Sequence, residues 1–183
     1  MSDDGRPHGR VVGSLRLTDG SGVVRIEDRY RTSVDDLWEA LTDPDRLARW
    51  YGEVRGDLRP GGEFTTYLAG PDIEAVGRVE VCEPPRRLLL HTRETEESYR
   101  RGRGAPPFDQ TIEATLDADG DEVVLVLEIR GLPLDRLASY GTGWHIHVEH
   151  LAGHVAGRAL SGTESRWLEL LPSYEAHAAA ITG

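Results

Sequence analysis

The chain has 183 residues, a formal net charge of -11 at pH 7 and a pI near 5.1. This length suits one domain with a sizeable core. Both nucleic-acid backbones and anionic lipid surfaces carry negative charge, so the negative charge of the chain argues against either as a partner.

All 21 basic residues are arginine, which is typical of a GC-rich bacterial genome. The one cysteine, Cys82, cannot form an intramolecular disulfide. The N-terminus lacks the basic region and apolar run of a secretory signal, and no run of about 18 apolar residues occurs. We therefore expect a soluble, cytoplasmic protein that does not insert into membranes.

The N-terminal segment predicts a tail and a hairpin. Residues 1–10 are polar with Gly and Pro, and we expect them to be disordered. Residues 11–17 and 23–31 each alternate apolar and polar side chains on either side of the turn sequence TDGSG. This pattern predicts a β-hairpin.

Two short helices are predicted next. Ser33 precedes Asp36 by three residues, an approximate capping box, and apolar residues then recur at helical spacing, namely Val34, Leu37, Trp38 and Leu41. The helix restarts at Asp43 as N-cap, with Pro44 at the first helical position, where its missing N–H costs nothing.

From residue 53 the apolar period becomes two. About six strands with short links are predicted, in the segments EVRGDLR, EFTTYL, IEAVGRVEVCE, RLLLHTRE, FDQTIEATLD and EVVLVLEIR. Links of turn length indicate an antiparallel meander. The segment TEESYRRGRGAPP is interpreted as a flexible surface loop, with an anion site as the alternative.

The C-terminal part returns to helical spacing. After GLPLDRLASYGTG, one apolar stripe of Trp144, Val148, Leu151 and Val155 predicts the long helix. The segment ESRWLELLPSYEAHAAA predicts a further short helix that stops at Pro172. We assign residues 11–160 to one domain that includes the extra N-terminal hairpin, and residues 161–183 to a C-terminal helical extension.

This order of elements predicts an α+β helix-grip fold. A curved antiparallel sheet wraps around the long C-terminal helix, and the two short helices between the first strands cap one end. Such an arrangement leaves a chamber between the helix and the sheet, lined by inward side chains.

Four blocks resemble a known family. They are VRIEDRYRTSVDDLWEALTDPDRLARWYG, DLRPGGEF, GRVEVCEPPRRLLL and GTGWHIHVEHLAGHVAG, spread over roughly residues 22–157. Together they resemble the activator of heat-shock protein 90 ATPase homologue family of the START-like superfamily, which includes lipid-transfer domains and polyketide cyclases. The resemblance implies the helix-grip fold and a ligand chamber. The co-chaperone that names the family carries a further domain, which a chain of this length does not include.

Aromatic residues and their neighbours are the candidates for the chamber wall. On the strand EFTTYL, either Phe64 or, on the opposite phase, Tyr67 would face inward. Packing alone is the alternative role for each aromatic side chain. The candidate ligand-contact residues are Trp50, Tyr51, Phe64, Tyr67, Glu128, Trp144, His145 and Val148.

Catalysis would need an ionisable group inside the chamber. Glu128 shares a strand face with Val124 and Val126, and Asp28 shares one with Ile26 and Tyr30, so either carboxylate would have a raised pKa if its face points inward. An arginine partner would instead lower it.

The histidines do not indicate a metal site. We expect His91 on the outer face of the sheet, and His147, His150 and His154 on a solvated helix face rather than around a metal ion. No catalytic residue, metal or cofactor is predicted, and Cys82 is interpreted as a small buried residue.

Three functions follow from these patterns. The leading hypothesis is non-enzymatic binding of a small hydrophobic molecule in the chamber. A cyclase or dehydratase acting on a polyketide-like or aromatic substrate is the first alternative. A co-chaperone-like module that binds a protein partner is the second.

Overall fold

The computed structural model describes residues 11–103, 106–160 and 162–183. The tail expected over residues 1–10 lies outside the described residues. The strands are β1 (Val12–Thr18), β2 (Ser21–Tyr30), β3 (Glu53–Gly56), β4 (Glu63–Leu68), β5 (Ile73–Glu83), β6 (Arg87–Glu94), β7 (Asp109–Asp119) and β8 (Glu122–Leu132). The helices are α1 (Val34–Thr42), α2 (Pro44–Leu47), α3 (Glu96–Arg100), α4 (Leu137–Val155) and α5 (Thr163–Thr182).

The eight strands form one antiparallel sheet in the order β1-β2-β8-β7-β6-β5-β4-β3. Strands β3 to β8 are a meander, as predicted, because each pairs with the next along the chain. Strand β2 joins the N-terminal hairpin to this meander by pairing with β8, the last strand. The predicted α+β helix-grip fold is confirmed.

The two short helices begin where the sequence predicts. The Ser33 hydroxyl accepts a hydrogen bond from the Asp36 backbone N–H at 3.1 Å. The Asp43 carboxylate accepts one from the Arg46 N–H at 3.0 Å, with Pro44 in the first turn of α2. Each cap satisfies a backbone donor that the helix itself leaves without a partner.

Helix α4 begins at Leu137, seven residues before Trp144, so the segment interpreted as a link is helical. Gly141 in this segment lies against Tyr174, and an added Cβ would stand 2.5 Å from its ring. Glycine has a low helix propensity, but at position 141 its lack of a side chain lets α5 pack closely against α4. The free energy of this packing outweighs the low propensity of Gly141.

Helix α5 does not stop at Pro172; it runs unbroken for 20 residues, and that prediction is wrong. Proline removes one intrahelical hydrogen bond, to the carbonyl of Leu168. The Leu168 side chain is exposed, so water can reach this side of the helix. On the opposite side, Tyr174 and Ala178 are buried against α4 and β1, and this burial holds the helix together.

The segment interpreted as a flexible loop after β6 contains a short helix, α3. Its N-cap is Thr95, whose hydroxyl accepts a hydrogen bond from the Ser98 N–H at 3.2 Å. Residues 104 and 105 of the same segment lie outside the described residues.

Helix α4 packs across the inner face of the sheet, with its strand contacts mainly on β2 and β1. Val148 and Leu151 are buried there, together with the inward side chains of β8, Leu125, Leu127 and Ile129. Among the described helices, none combines the length and apolar character needed to cross a membrane.

Candidate functional site

An apolar chamber of about 270 Å³ lies between α4, the two short helices and the inner face of the sheet. Its sheet wall comes from alternating side chains of β4 to β8, and its helical wall from α1, α2 and α4. Its aliphatic lining includes Leu47, Val79, Leu88, Leu90, Ile112, Ala114, Leu125, Leu127 and Leu151. The lining explains why an apolar molecule would be favoured there, since it would leave water for an apolar wall.

Five of the eight candidate residues line the chamber: Trp50, Tyr51, Phe64, Trp144 and Val148. Trp50 and Phe64 are buried, whereas Tyr51 and Trp144 are partly buried. The Trp50 indole N–H donates to the Ala40 carbonyl at 2.9 Å. This bond ties the end of α1 to the residues after α2, so Trp50 also has a structural role.

Tyr51, Trp144 and His147 form an aromatic cluster at one side of the chamber. The rings of Tyr51 and Trp144 are stacked with centroids 5.9 Å apart, and the His147 ring lies 5.0 Å and 5.5 Å from them. Burial lowers the pKa of His147 to about 4, with a smaller contribution from His150. His147 is therefore neutral at pH 7.

Tyr67 does not line the chamber, so this expectation is wrong. Its side chain is 38% exposed and its hydroxyl donates to Asp72 at 3.2 Å. Phe64 and Thr66 take the inward positions of β4, which places Tyr67 on the other face.

Glu128 also lies outside the chamber, because β8 turns Leu125, Leu127 and Ile129 inward instead. On the outer face its carboxylate contacts Arg16 at 2.9 Å and Arg130 at 2.5 Å. Hydrogen bonds from Arg16 and then Arg130 hold the pKa of Glu128 below its usual range, although burial opposes them. The arrangement is a cross-strand ladder that continues through Arg130 to Glu113 and Arg87.

His145 is buried, but between α4 and α5 rather than at the chamber. Its Nδ1 lies 2.9 Å from the Tyr174 hydroxyl, and its Nε2 lies 3.3 Å from a carboxylate oxygen of Glu149. Burial raises the pKa of Glu149, but hydrogen bonds from His145 and Arg166 outweigh it and bring the value to about 2. The cluster therefore fastens α5 to α4.

Asp28 is only 2% exposed and borders a second cleft, of about 380 Å³, between β2 and the end of α4. Its Oδ1 accepts from the Arg29 N–H at 2.9 Å. Neither Oδ2 nor the Tyr30 hydroxyl has a well-formed hydrogen bond to any described residue. Burial raises the pKa of Asp28 to about 6, partly opposed by the Arg29 N–H.

His91 on β6 and the three further histidines of α4 differ in their surroundings. His91 lies on the outer face as expected, with Nε2 3.9 Å from Asp109. The expectation of a solvated face for the helix histidines is wrong: His150 is buried, His147 packs in the aromatic cluster, and His154 accepts from Arg46 Nε at 3.3 Å. The described residues include no group of three or more potential ligands arranged for a metal ion.

Sequence reasoning missed a polar end of the chamber. Besides Thr42, whose hydroxyl donates to the Trp38 carbonyl, three hydroxyl-bearing residues line the chamber, and we call them its polar end: Tyr51, Thr66 and Thr92. Burial raises the pKa of Tyr51 to about 12, although a hydrogen bond with Thr66 opposes this. The sequence around Thr66 and Thr92 does not show that the two side chains face the same chamber, because they lie on different strands and meet only through the pairing of the sheet.

Glu94 and Tyr140 lie close to this polar end. The Tyr140 hydroxyl donates to a Glu94 carboxylate oxygen, and the Glu94 charge also acts on Tyr51. Burial, followed by the Glu94 charge, raises the pKa of Tyr140 well above its usual range. The Tyr140 phenol is therefore a hydrogen-bond donor at neutral pH.

Solved structures of similar sequence share the fold. CalU16 from Micromonospora echinospora matches in a crystal structure (TM-score 0.70, 29% identity, 93% of this chain and 98% of that chain). Its solution NMR structure also matches (0.72, 28%, 98% and 99%). The solution NMR structure of the protein encoded by BPP1335 from Bordetella parapertussis is similar as well (0.67, 27%, 96% and 94%).

DynU16, a protein of the dynemicin biosynthetic locus, matches with a TM-score of 0.65 at 24% identity, over 80% of this chain and 51% of that chain. At that identity the likeness concerns the fold alone. No curated protein matches the chain. Residues 31–156 match the family described as Activator of Hsp90 ATPase homolog 1-like protein. The match spans more than half of the 183 residues, so the chain belongs to this family.

Proposed function

We propose that this protein binds a small, mainly apolar molecule in the chamber. The observation that carries the proposal is an open space of about 270 Å³ between α4 and the sheet, walled mainly by aliphatic and aromatic side chains. On this proposal the ligand contacts five lining residues, Trp50, Tyr51, Phe64, Trp144 and Val148.

The chamber volume limits the size of the ligand. A cavity of about 150 Å³ lined by aliphatic and aromatic side chains accommodates benzene, and drug-sized ligands occupy roughly 300–1,000 Å³. A space of about 270 Å³ therefore suits a molecule with one ring or two fused rings, or an aliphatic chain of similar volume. Apolar contact at about 25 cal/mol per Å² supplies most of its binding free energy.

Binding without catalysis is favoured over the cyclase or dehydratase alternative. The four ionisable residues on which that alternative depended, Asp28, His91, Glu128 and His145, are all absent from the chamber lining. The co-chaperone alternative has no feature of the described residues in its favour. The single Cys82 supports a reducing, cytoplasmic location.

Naphthalene is a suitable probe because it has two fused rings and no polar group. Ala114 lines the chamber on β7, and Ala118 is exposed on the same strand. Ala114→Leu adds side-chain volume to the chamber, whereas Ala118→Leu makes the same change in solvent.

NMR titration of the ¹⁵N-labelled chain is expected to show shift changes at chamber residues on adding naphthalene. We expect Ala114→Leu to weaken binding at least tenfold and Ala118→Leu to leave it unchanged. Native mass spectrometry of protein freshly purified from its host provides a second test. Absence of a bound molecule there, together with no naphthalene binding, would overturn the proposal.

A further inference from the structure

Two buried polar residues, Thr92 and Gln110, are neighbours on the inner face of the sheet, and Thr92 lines the chamber. Thr92 on β6 and Gln110 on β7 are register partners, and each is only 7% exposed. Among the described residues, neither the Thr92 hydroxyl nor Gln110 Oε1 has a hydrogen-bond partner.

Both side chains belong to the inward-facing sets of their strands. Thr92 itself lines the chamber, in phase with Leu88 and Leu90. Gln110 is in phase with Ile112 and Ala114, which line it too. Thr92 therefore borders the chamber, and Gln110 lies next to it on the same inner face, just outside the residues that line the chamber.

Buried polar groups in proteins are nearly always hydrogen-bonded, because a buried group without a partner loses its bonds to water. Two such groups on adjacent strands, beside a chamber, indicate that a ligand supplies the missing partner. Neither the Tyr51 nor the Thr66 hydroxyl is among the buried polar atoms that lack a partner in the described part of the chain, whereas Thr92 Oγ1 and Gln110 Oε1 both are.

We propose that the ligand carries a hydroxyl group on its apolar body, bound between Thr92 and Gln110. This inference rests on the proposed function. A hydroxyl both donates and accepts, so it can donate to Gln110 Oε1 and accept from the Thr92 hydroxyl. An ether or a ketone has no proton to donate to Gln110.

An anionic ligand head is disfavoured at this place. Glu94 follows Thr92 by two residues on β6 and is buried on the same face of the strand. A second negative charge close to its carboxylate would be repelled in surroundings of low dielectric constant. The binding group is therefore a neutral alcohol or phenol rather than a carboxylate.

Three probes of similar size separate the possibilities: 2-naphthol has a hydroxyl, 2-methoxynaphthalene only accepts, and naphthalene does neither. Their affinities for the full chain can be measured by calorimetry or by quenching of tryptophan fluorescence. We expect 2-naphthol to bind about five- to tenfold more tightly than the other two, as one or two added hydrogen bonds would give.

Thr92→Val and Gln110→Met remove the polar atoms at nearly constant volume and should each abolish most of this preference. Thr65→Val is the matched control, since Thr65 is exposed on the outer face of β4. Thermal unfolding checks that the variants fold; Thr92→Val should not lower the melting temperature, because it removes a hydroxyl with no partner among the described residues.

Equal affinity of the three probes for the wild-type chain would overturn the inference and leave the proposed function intact. Retention of the 2-naphthol preference in both Thr92→Val and Gln110→Met would overturn it as well. If none of the three probes binds, the proposed function itself fails, and this inference fails with it.

Discussion

Tyr51 and Trp144 stack with their ring centroids 5.9 Å apart and their planes inclined by 20°. Tyr51 belongs to the connection between α2 and β3, and Trp144 to α4, so this contact joins two separate walls of the chamber. Both rings line the chamber and both are only partly buried. The pair therefore joins the two walls by an aromatic contact that remains partly accessible to solvent.

Trp144→Leu is expected to weaken naphthalene binding about tenfold, because it removes an aromatic wall and the stacking partner of Tyr51. The dissociation rate should rise more than the association rate falls. Stopped-flow fluorescence and calorimetry measure both effects. Trp167→Leu is the control, since Trp167 is a partly buried tryptophan of α5 outside the chamber. Equal losses in the two variants would mean that Trp144 acts only through stability.

Asp28→Asn is expected to stabilise the protein at pH 7.5 by about 2–3 kcal/mol. Burial raises the pKa of Asp28 from 3.8 to about 6, so the charged carboxylate costs this much free energy in the folded chain. The folded chain holds this proton more tightly than the unfolded chain, so the contribution of Asp28 to stability falls as the pH rises from about 4 to about 6. Asparagine keeps the acceptor for the Arg29 N–H and has no charge to bury.

Urea unfolding at several pH values tests the Asp28 prediction. Asp117→Asn is the control, because the Asp117 side chain is 75% exposed on β7. A variant Asp28→Asn that is no more stable than wild type at pH 7.5, while folded at pH 4, would contradict the prediction.

His147 has the opposite pH dependence. Its pKa is lowered from 6.5 to about 4 in the folded chain, so its contribution to stability is present above pH 6.5 and is lost as the pH falls towards 4. His147→Phe keeps an aromatic ring beside Tyr51 and Trp144 and removes the titration. We expect this variant to lose about 2–3 kcal/mol less stability than wild type between pH 7 and pH 4.

The control for His147 is His91→Phe on the outer face of β6. Between pH 4 and 6 the contributions of Asp28 and His147 to the free energy of unfolding change in opposite directions. The pH dependence of the wild-type stability therefore does not separate them, and each variant must be compared with wild type. If His147→Phe and wild type lose stability in parallel on acidification, His147 does not titrate as described.

Gly13→Ala is expected to loosen α5. An added Cβ at Gly13 would lie 1.8 Å from the Tyr174 hydroxyl, which also contacts His145. Tyr174 must move, at a cost of about 1–3 kcal/mol. Hydrogen exchange of residues 163–182 should become faster. Gly70→Ala is the control, because no atom lies within 4 Å of the added Cβ; unchanged exchange in α5 would refute this account of its docking.

Local patterns predicted the features that depend on neighbours in the chain. Ser33 and Asp43 cap the short helices as expected, because capping needs only residues two or three positions apart. The stripe of Val148 and Leu151 on α4 is buried for the same kind of reason, since helical periodicity defines one face.

Local patterns did not decide which face of a strand points inward. Alternation places Glu128 with Val126 and Tyr67 with Thr65, but whether such a set faces the chamber depends on strand pairing and on the position of α4. For the same reason the sequence did not predict that Thr92 and Gln110 are neighbours, since they are 18 residues apart in sequence and opposite each other in the sheet.

By itself, the sequence determined the order and type of most elements, the helix caps and the family, because these depend on periodicity, turn chemistry and residue pattern along the chain. Tertiary structure alone decided where α4 begins, whether α5 passes Pro172, and which side chains enclose the chamber. The physical reason is that burial involves residues distant in sequence, and its free energy outweighs local helix preferences at Gly141 and Pro172.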